Sequence, residues 1–233
     1  MTKKKKTLLY QIFQELLEFY GPRKWWPART RFEVITGAIL VQNVSWRNAK
    51  IAIDNLKKAG LLNPKAIISA RHNVIARQIK SSRFYNQKAK KLKAFCIYLL
   101  QNYNGSLNKM FLKNTQDLRD ELLRLKGIGK ETADSILLYA GGKLSFVSDA
   151  YTKRFLTRLG MLNGMKSYEE IRKYFMENIP PDVYVYNEFH ALIDHHCHFI
   201  CKSKPDCDKC FIKNSGKTNL CSFAGSYIDN KLF

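Results

Sequence analysis

The period of the apolar residues is the strongest constraint on this fold. They recur every three or four positions along most of the chain, and the strict alternation of a half-buried strand is nearly absent. Leu8, Leu9, Ile12, Phe13, Leu16, Leu17 and Tyr20 fall on one face of a first helix. After an aromatic loop, GPRKWWPA, the run TRFEVITGAILVQN at 30–43 reads as a mostly buried helix. SWRNAKIAIDNLKKAG follows, stopped by Gly60, and Asn63-Pro64 opens a short helix with proline at its first position, where no N–H is missed. FYNQKAKKLKAFCIYLLQNYNG is amphipathic and ends at Asn104-Gly105. TQDLRDELLRLKGIGKETADSILLYAGG reads as helix, tight turn, helix, ended by Gly141-Gly142. A second block runs through SDAYTKRFLTRLG, the capping box Ser167-x-x-Glu170 and DVYVYNEFHALIDHHCHFIC. These patterns predict an all-α protein of two lobes, with no repeat and no low-complexity linker.

Charge narrows the function. With 233 residues the chain can bury a substantial core, yet 40 Lys and Arg against 19 Asp and Glu leave a formal charge of +21. A solvated basic surface is the bland explanation. A polyanionic partner explains more, because phosphate contacts and counterion release relieve so large a self-repulsion. No stretch approaches the roughly 20 apolar residues of a membrane span. Gln11, Gln14, Glu15 and Glu18 interrupt any signal-like apolar core near the start. The expectation is a cytoplasmic, nucleoid-associated protein. In a reducing compartment its six cysteines read as metal ligands rather than disulfides.

The stretch LKGIGKETA at 125–133 places Gly127 and Gly129 between Lys126 and Lys130. Glycines there permit φ > 0 and leave backbone N–H groups unshielded. At a helix N-terminus such amides bind phosphate, although Gly-Ile-Gly can also be a plain helix–helix turn. Asp149 precedes an amphipathic helix, the usual place for an N-cap. A carboxylate so placed can also stabilise a developing sugar cation. Four thiols, Cys201-x5-Cys207-x2-Cys210-x10-Cys221, have the composition of a zinc or [4Fe–4S] site, and spacing alone does not choose. Cys96 reads as a buried apolar residue. Cys197, with His195, His196 and His198, continues an amphipathic helix and reads as core packing with exposed imidazoles. Lys88 and Lys90 read as a solvated helix face with some claim to a phosphate role.

LKGIGKETADSILLYA followed by VSDAYTKRFLTRLG resembles the helix-hairpin-helix/Gly-Pro-Asp superfamily of DNA glycosylases, in its endonuclease III branch. The likeness runs from FEVITGAILVQN through FYNQKAKKLKAF to the terminal cysteines. It implies a two-lobed helix-hairpin-helix fold with an iron–sulfur loop at 201–221. Residues 30–142 would form a six-helix barrel domain containing the hairpin, and 1–29 with 143–233 a second helical domain carrying that loop. The resemblance makes Asp149 the catalytic carboxylate and assigns Gly127, Gly129, Lys126 and Lys130 to the DNA backbone. It favours a [4Fe–4S] cluster on Cys201, Cys207, Cys210 and Cys221, although the family's Cys-x6-Cys-x2-Cys-x5-Cys has a first gap one residue longer and a last gap five shorter.

One departure is informative. Members that cleave the backbone by β-elimination keep a nucleophilic lysine immediately before the Thr-Ala pair, where this chain has Glu131. Lys130 is one residue early, a rotation of roughly 100° on a helix. The resemblance therefore implies a monofunctional enzyme in which water attacks the sugar. The Trp-Trp-Pro segment and the aromatic after Gln-Asn resemble the 3-methyladenine glycosylases of this branch, some of which lack the cluster. That assigns Trp25, Trp26, Pro27, Gln42 and Trp46 to the flipped base, with Gln42 alternatively a wedge. The expected function is a monomeric DNA N-glycosylase for damaged bases in duplex DNA, alkylated purines first. The rivals are an endonuclease III-type glycosylase/AP lyase on oxidised pyrimidines, a mismatch glycosylase, and a non-catalytic DNA-binding module.

Overall fold

A computed structural model describes residues 7–162, 164–214 and 221. All regular structure among them is helical. In chain order the helices are α1 (Leu8–Tyr20), α2 (Arg31–Leu40), α3 (Trp46–Lys58), α4 (Pro64–Ser69), α5 (His72–Gln78), α6 (Tyr85–Tyr103), α7 (Leu107–Leu112), α8 (Thr115–Arg124), α9 (Lys130–Ser135), α10 (Ala150–Arg158), α11 (Tyr168–Asn178), α12 (Val183–Phe199) and α13 (Phe211–Asn214). A π-helical stretch, Ile136–Ala140, continues α9 directly. The chain forms two compact units, one from Trp26–Ser145 and one from Met1–Trp25 with Phe146–Phe233.

Local chemistry sets most boundaries. Side-chain oxygens of Thr7, Thr30, Ser45, Asn63, Ser106, Asn114, Asp149, Ser167 and Asp182 accept from first-turn amides. The Ser167–Glu170 capping box forms in both directions. Asn104 and Gly105 both take left-handed conformations to end α6.

In the unit of residues 26–145 the core gathers Ile35, Ile39, Ala52, Ile53, Leu92, Phe95, Leu99, Leu118, Leu122, Ile136 and Leu137 around α2, the most buried helix. The sequence reading of Lys88 as solvated is corrected here. Lys88 is 2% exposed, on the α6 face that also carries Leu92, Phe95 and Leu99. Its Nζ donates to the carbonyls of Leu40 at 2.8 Å and Ser82 at 2.5 Å. It therefore caps the C-terminus of α2, where a cation suits the helix dipole. Burial, aided by Lys91, lowers its pKa to about 8.

The other unit packs aromatic rings between α1, α11 and α12. Phe146 stacks on Phe175 at 4.1 Å, and Phe189 meets Phe175 and Phe13, each at 5.3 Å. Glu188, 3% exposed, accepts from the Arg23 and Lys24 amides at 2.5 and 2.8 Å, anchoring the chain after α1 onto α12.

Candidate active site and nucleic-acid interface

Between α8 and α9 the chain turns tightly, with Ile128 N–H donating to the Leu125 carbonyl at 3.0 Å. Ile128 is buried and anchors the turn, while Lys126, Gly127, Gly129 and Lys130 are exposed. Only one of the two glycines needs its conformational freedom. Gly127 has φ +92°, and a Cβ there would lie 2.4 Å from Lys91 Cε. Gly129 has φ −89°, open to any residue, and nothing lies within 4 Å of its missing Cβ. It caps α9 with a bare backbone and no side-chain cap, and Gly129, Lys130 and Glu131 are all exposed. Lys130 and Glu131 are successive exposed residues of that first turn, and an acidic side chain there suits the dipole.

Gln42 is tied into this hairpin. Its Nε2 donates to Thr132 Oγ1 at 2.8 Å and to the Gly127 carbonyl at 3.2 Å, and its Oε1 accepts from Lys91 Nζ at 2.5 Å. Here Gln42 braces the turn from the end of α2, with Lys91 lying over Gly127. The sequence did not single out Lys91. It is one of four lysines between 88 and 93, and only the packing shows which of them faces the hairpin.

Three rings of the same unit form an aromatic nest. Trp26 meets Trp46 edge-on at 5.3 Å and 88°, and Tyr139 at 5.4 Å and 62°. Gly37 makes room, since a Cβ there would lie 2.9 Å from Trp26 Nε1. All three rings are partly exposed, as is Trp25, and Pro27 is exposed. Tyr139 escaped the sequence reading because the π turn moves it off the α-helical period.

Asp149 belongs to the other unit. It is the N-cap of α10, its Oδ1 accepting from Thr152 N–H at 2.8 Å and Thr152 Oγ1 at 3.0 Å. Its Oδ2 faces Nε2 of His190, on α12, at 3.7 Å. The Asp149 side chain is 14% exposed. Burial alone would raise its pKa, but His190 and the two Thr152 donors hold it below the usual value. The group is an anion at neutral pH. His190 carried no distinguishing signal in a helix with four histidines.

The cysteine loop is clamped by arginines of α10. Arg154 Nε and Arg158 Nη1 donate to the Cys201 carbonyl at 3.0 and 2.9 Å. Arg158 also reaches the Lys202 and Ser203 carbonyls at 2.5 and 2.9 Å, and Cys201 Sγ at 3.1 Å. The neighbouring Cys197, His196 and Arg158 favour the Cys201 thiolate and lower the thiol's pKa despite its burial. Cys221 Sγ lies 3.6 Å from the Arg158 carbonyl, and Cys210 Sγ 3.8 Å from His196 Nε2. His196 is itself 1% exposed and held by Tyr20 at 2.9 Å, which corrects its reading as an exposed imidazole. Cys96 and Cys197 are buried. Among the described residues no three His, Cys, Asp or Glu side chains are arranged to hold a metal ion. Residues 215–220, which link Cys210 to Cys221, lie outside the described residues.

This helical frame, with its hairpin and the carboxylate that caps α10, defines a DNA-repair class. The chain belongs to the HhH-GPD superfamily of base excision DNA repair proteins, whose family model matches residues 36–181, and within it to the endonuclease III-like branch. It is a DNA glycosylase. The "Putative DNA repair glycosylase MJ1434" of Methanocaldococcus jannaschii is 47% identical over 91% of this chain and 97% of its own. Endonuclease III of Sulfolobus acidocaldarius is 31% identical over 95% of this chain and 92% of its own. Among solved structures, the H. pylori 3-methyladenine DNA glycosylase MagIII, bound to 1,N6-ethenoadenine, superposes with TM-score 0.73 at 30% identity, over 81% of this chain and 96% of that one. A non-covalent endonuclease III–DNA complex gives TM-score 0.79 over 97% and 99% of the two chains, a likeness of fold at 22% identity.

Proposed function

We propose that this protein is a monofunctional DNA N-glycosylase that hydrolyses the glycosidic bond of damaged bases in duplex DNA, with alkylated purines such as 3-methyladenine preferred. The observation that carries this reading is Glu131, which stands on the exposed first turn of α9 before Thr132-Ala133, where the lyases of this branch keep a lysine. Lys130, one position earlier, serves with Lys126 and the Gly127 and Gly129 backbone as a phosphate contact.

The chemistry needs little beyond one anion and an aromatic surface. An N-alkylated purine is already cationic, so the C1′–N bond breaks with its electron pair leaving on the base and no prior protonation. Asp149 stabilises the oxocarbenium-like sugar, water forms the new C1′–O bond, and the carboxylate accepts the water's proton. Trp26 and Trp46, with Tyr139 and the neighbouring Trp25 and Pro27, supply ring surface for an extruded base. Stacking contributes about 1–3 kcal/mol per base, and a cationic base adds roughly 0.5–2 kcal/mol of cation–π attraction. Gln42 serves the site by bracing the hairpin. The enzyme acts as a monomer on nucleoid DNA.

Cys201, Cys207, Cys210 and Cys221 would hold a [4Fe–4S] cluster. In kind the donors suit such a cluster, since all four are thiols outside any disulfide, but among the described residues their side chains are not gathered into a metal-holding group. The cluster would fold the C-terminal loop and takes no part in glycosidic hydrolysis.

A base-release assay over duplexes with alkylated, oxidised and mismatched bases tests the substrate class. Release from alkylated purines should dominate, and release confined to oxidised pyrimidines overturns the preference. Borohydride should trap no covalent DNA complex. A strong adduct that depends on Lys130 overturns the monofunctional reading. The purified protein should be brown and contain iron and acid-labile sulfide, whereas a colourless protein with stoichiometric zinc rejects the cluster.

A further inference from the structure

The two oxygens of Asp149 meet different surroundings. Oδ1 holds both donors of Thr152 and so belongs to the helix cap. Oδ2 meets His190 Nε2 at 3.7 Å, beyond a hydrogen bond yet within ion-pair range. The imidazole lies edge-on to Phe146, ring centroids 6.5 Å apart at 85°. Phe146 is three residues before Asp149, so the segment that delivers the carboxylate also packs on its partner.

We propose that His190 is the positioning residue of Asp149, fixing through Oδ2 the orientation and charge of the carboxylate that the cap alone leaves half-held. This rests on the reading of Asp149 as the catalytic carboxylate. Two bonds to Oδ1 from a single residue anchor one oxygen, and the imidazole on the other side decides where the second one points.

Asp149 and Asp194 both interact electrostatically with the His190 imidazole. Asp194, further along α12, is a second acid within electrostatic reach of the imidazole and of Asp149; burial raises its pKa, with His190 pulling the other way. His198 on α12 and Arg154 on α10 also act on Asp194, while Tyr151 on α10 faces both acids. From α1, Tyr20 engages His196, and the amides after it engage Glu188. Arg172 on α11 faces Tyr186. The imidazole thus acts on two carboxylates, and the one it meets at 3.7 Å is Asp149. Removing the imidazole takes away the largest influence opposing the burial of Asp149, so the carboxylate should take up its proton at higher pH.

The test is single-turnover base release against pH. His190→Ala should move the acid limb upward by about one pH unit or more, with the rate recovering towards wild type at higher pH. His190→Gln, which keeps an N–H near the Nε2 position, should restore the plateau rate while the limb stays shifted. A His190→Ala profile that matches wild type, or is lowered equally at every pH, overturns the proposal. A second measurement needs neither turnover nor a His190 variant: NMR titration of His190 should give a lower imidazole pKa in Asp149→Asn than in wild type. An unchanged titration overturns the proposal. If Asp149→Asn keeps full base release while the titration shifts, the pair is real and the catalytic reading of Asp149 is what fails.

Discussion

Asp134 and Asp149 are both acids within 25 residues of the hairpin, and their surroundings divide them sharply. Asp134 is fully buried, receives Arg119 in a two-pronged fork at 2.8 and 2.9 Å, and accepts Ser145 Oγ at 2.5 Å. Its acceptors are spent on tying α8 to α9 and to the end of the unit. Asp149 spends one oxygen on a cap and turns the other towards His190, 3.7 Å away. A saturated carboxylate is a structural tie, and one with an oxygen in reserve can respond to charge that appears beside it.

Substitution at the two positions should therefore fail in different ways. Asp149→Asn should lower base release by about 10²–10⁴-fold while thermal unfolding and binding to intact duplex stay near wild type. Asp134→Asn should instead cost about 3–5 kcal/mol of stability, because it leaves the Arg119 guanidinium buried against a neutral amide. Denaturant unfolding reads this directly, and a stable Asp134→Asn protein with impaired chemistry would erase the distinction.

Smaller effects probe the hairpin and the nest. Gly127→Ala must hold a left-handed φ and push Lys91 aside, which should cost about 1–3 kcal/mol of stability and weaken DNA binding. Gly129→Ala, at an ordinary φ with open space, should be nearly neutral to folding. Trp46→Ala should slow base excision by an amount equivalent to about 1–3 kcal/mol with little change in affinity for undamaged DNA. The smallest effect concerns Glu121. Burial opposes its charge, but Lys113, Tyr103 and Tyr98 draw its pKa down from 4.5 to about 2. A lowered carboxylate stabilises above its ordinary value and loses that contribution as pH falls towards 2. Glu121→Gln should thus flatten the stability loss between pH 4.5 and 2 in acid unfolding.

Much of this was legible in the chain because it is local. The caps at Ser167 and Asp149, the αL ending at Asn104-Gly105 and the turn at Gly127 each depend on a few adjacent residues. Lys88 was misread: its spacing to Leu92, Phe95 and Leu99 put it on the buried helix face, but the run of lysines around it read as solvated. Lys91 over Gly127, the Arg154 and Arg158 clamp, and His190 opposite Asp149 were not legible. Each depends on how one helix is rotated against another, which no spacing within a single element encodes. Gly129 was misread in its conformation, since it holds an ordinary φ of −89° with open space where its Cβ would be.

The π turn at Ile136–Ala140 has a consequence for how such a chain can vary. Gly141 N–H bonds back to the Ile136 carbonyl at 3.0 Å, so the helix here holds one residue more than an α-helical turn requires. In genetic terms it is an insertion that the fold already tolerates. Deleting a single residue within it would restore α-helical bonding and swing Tyr139 by roughly 100°, away from Trp26. Length, rather than residue identity, is then a dial for the aromatic nest, and turning it leaves the hairpin ahead of it untouched.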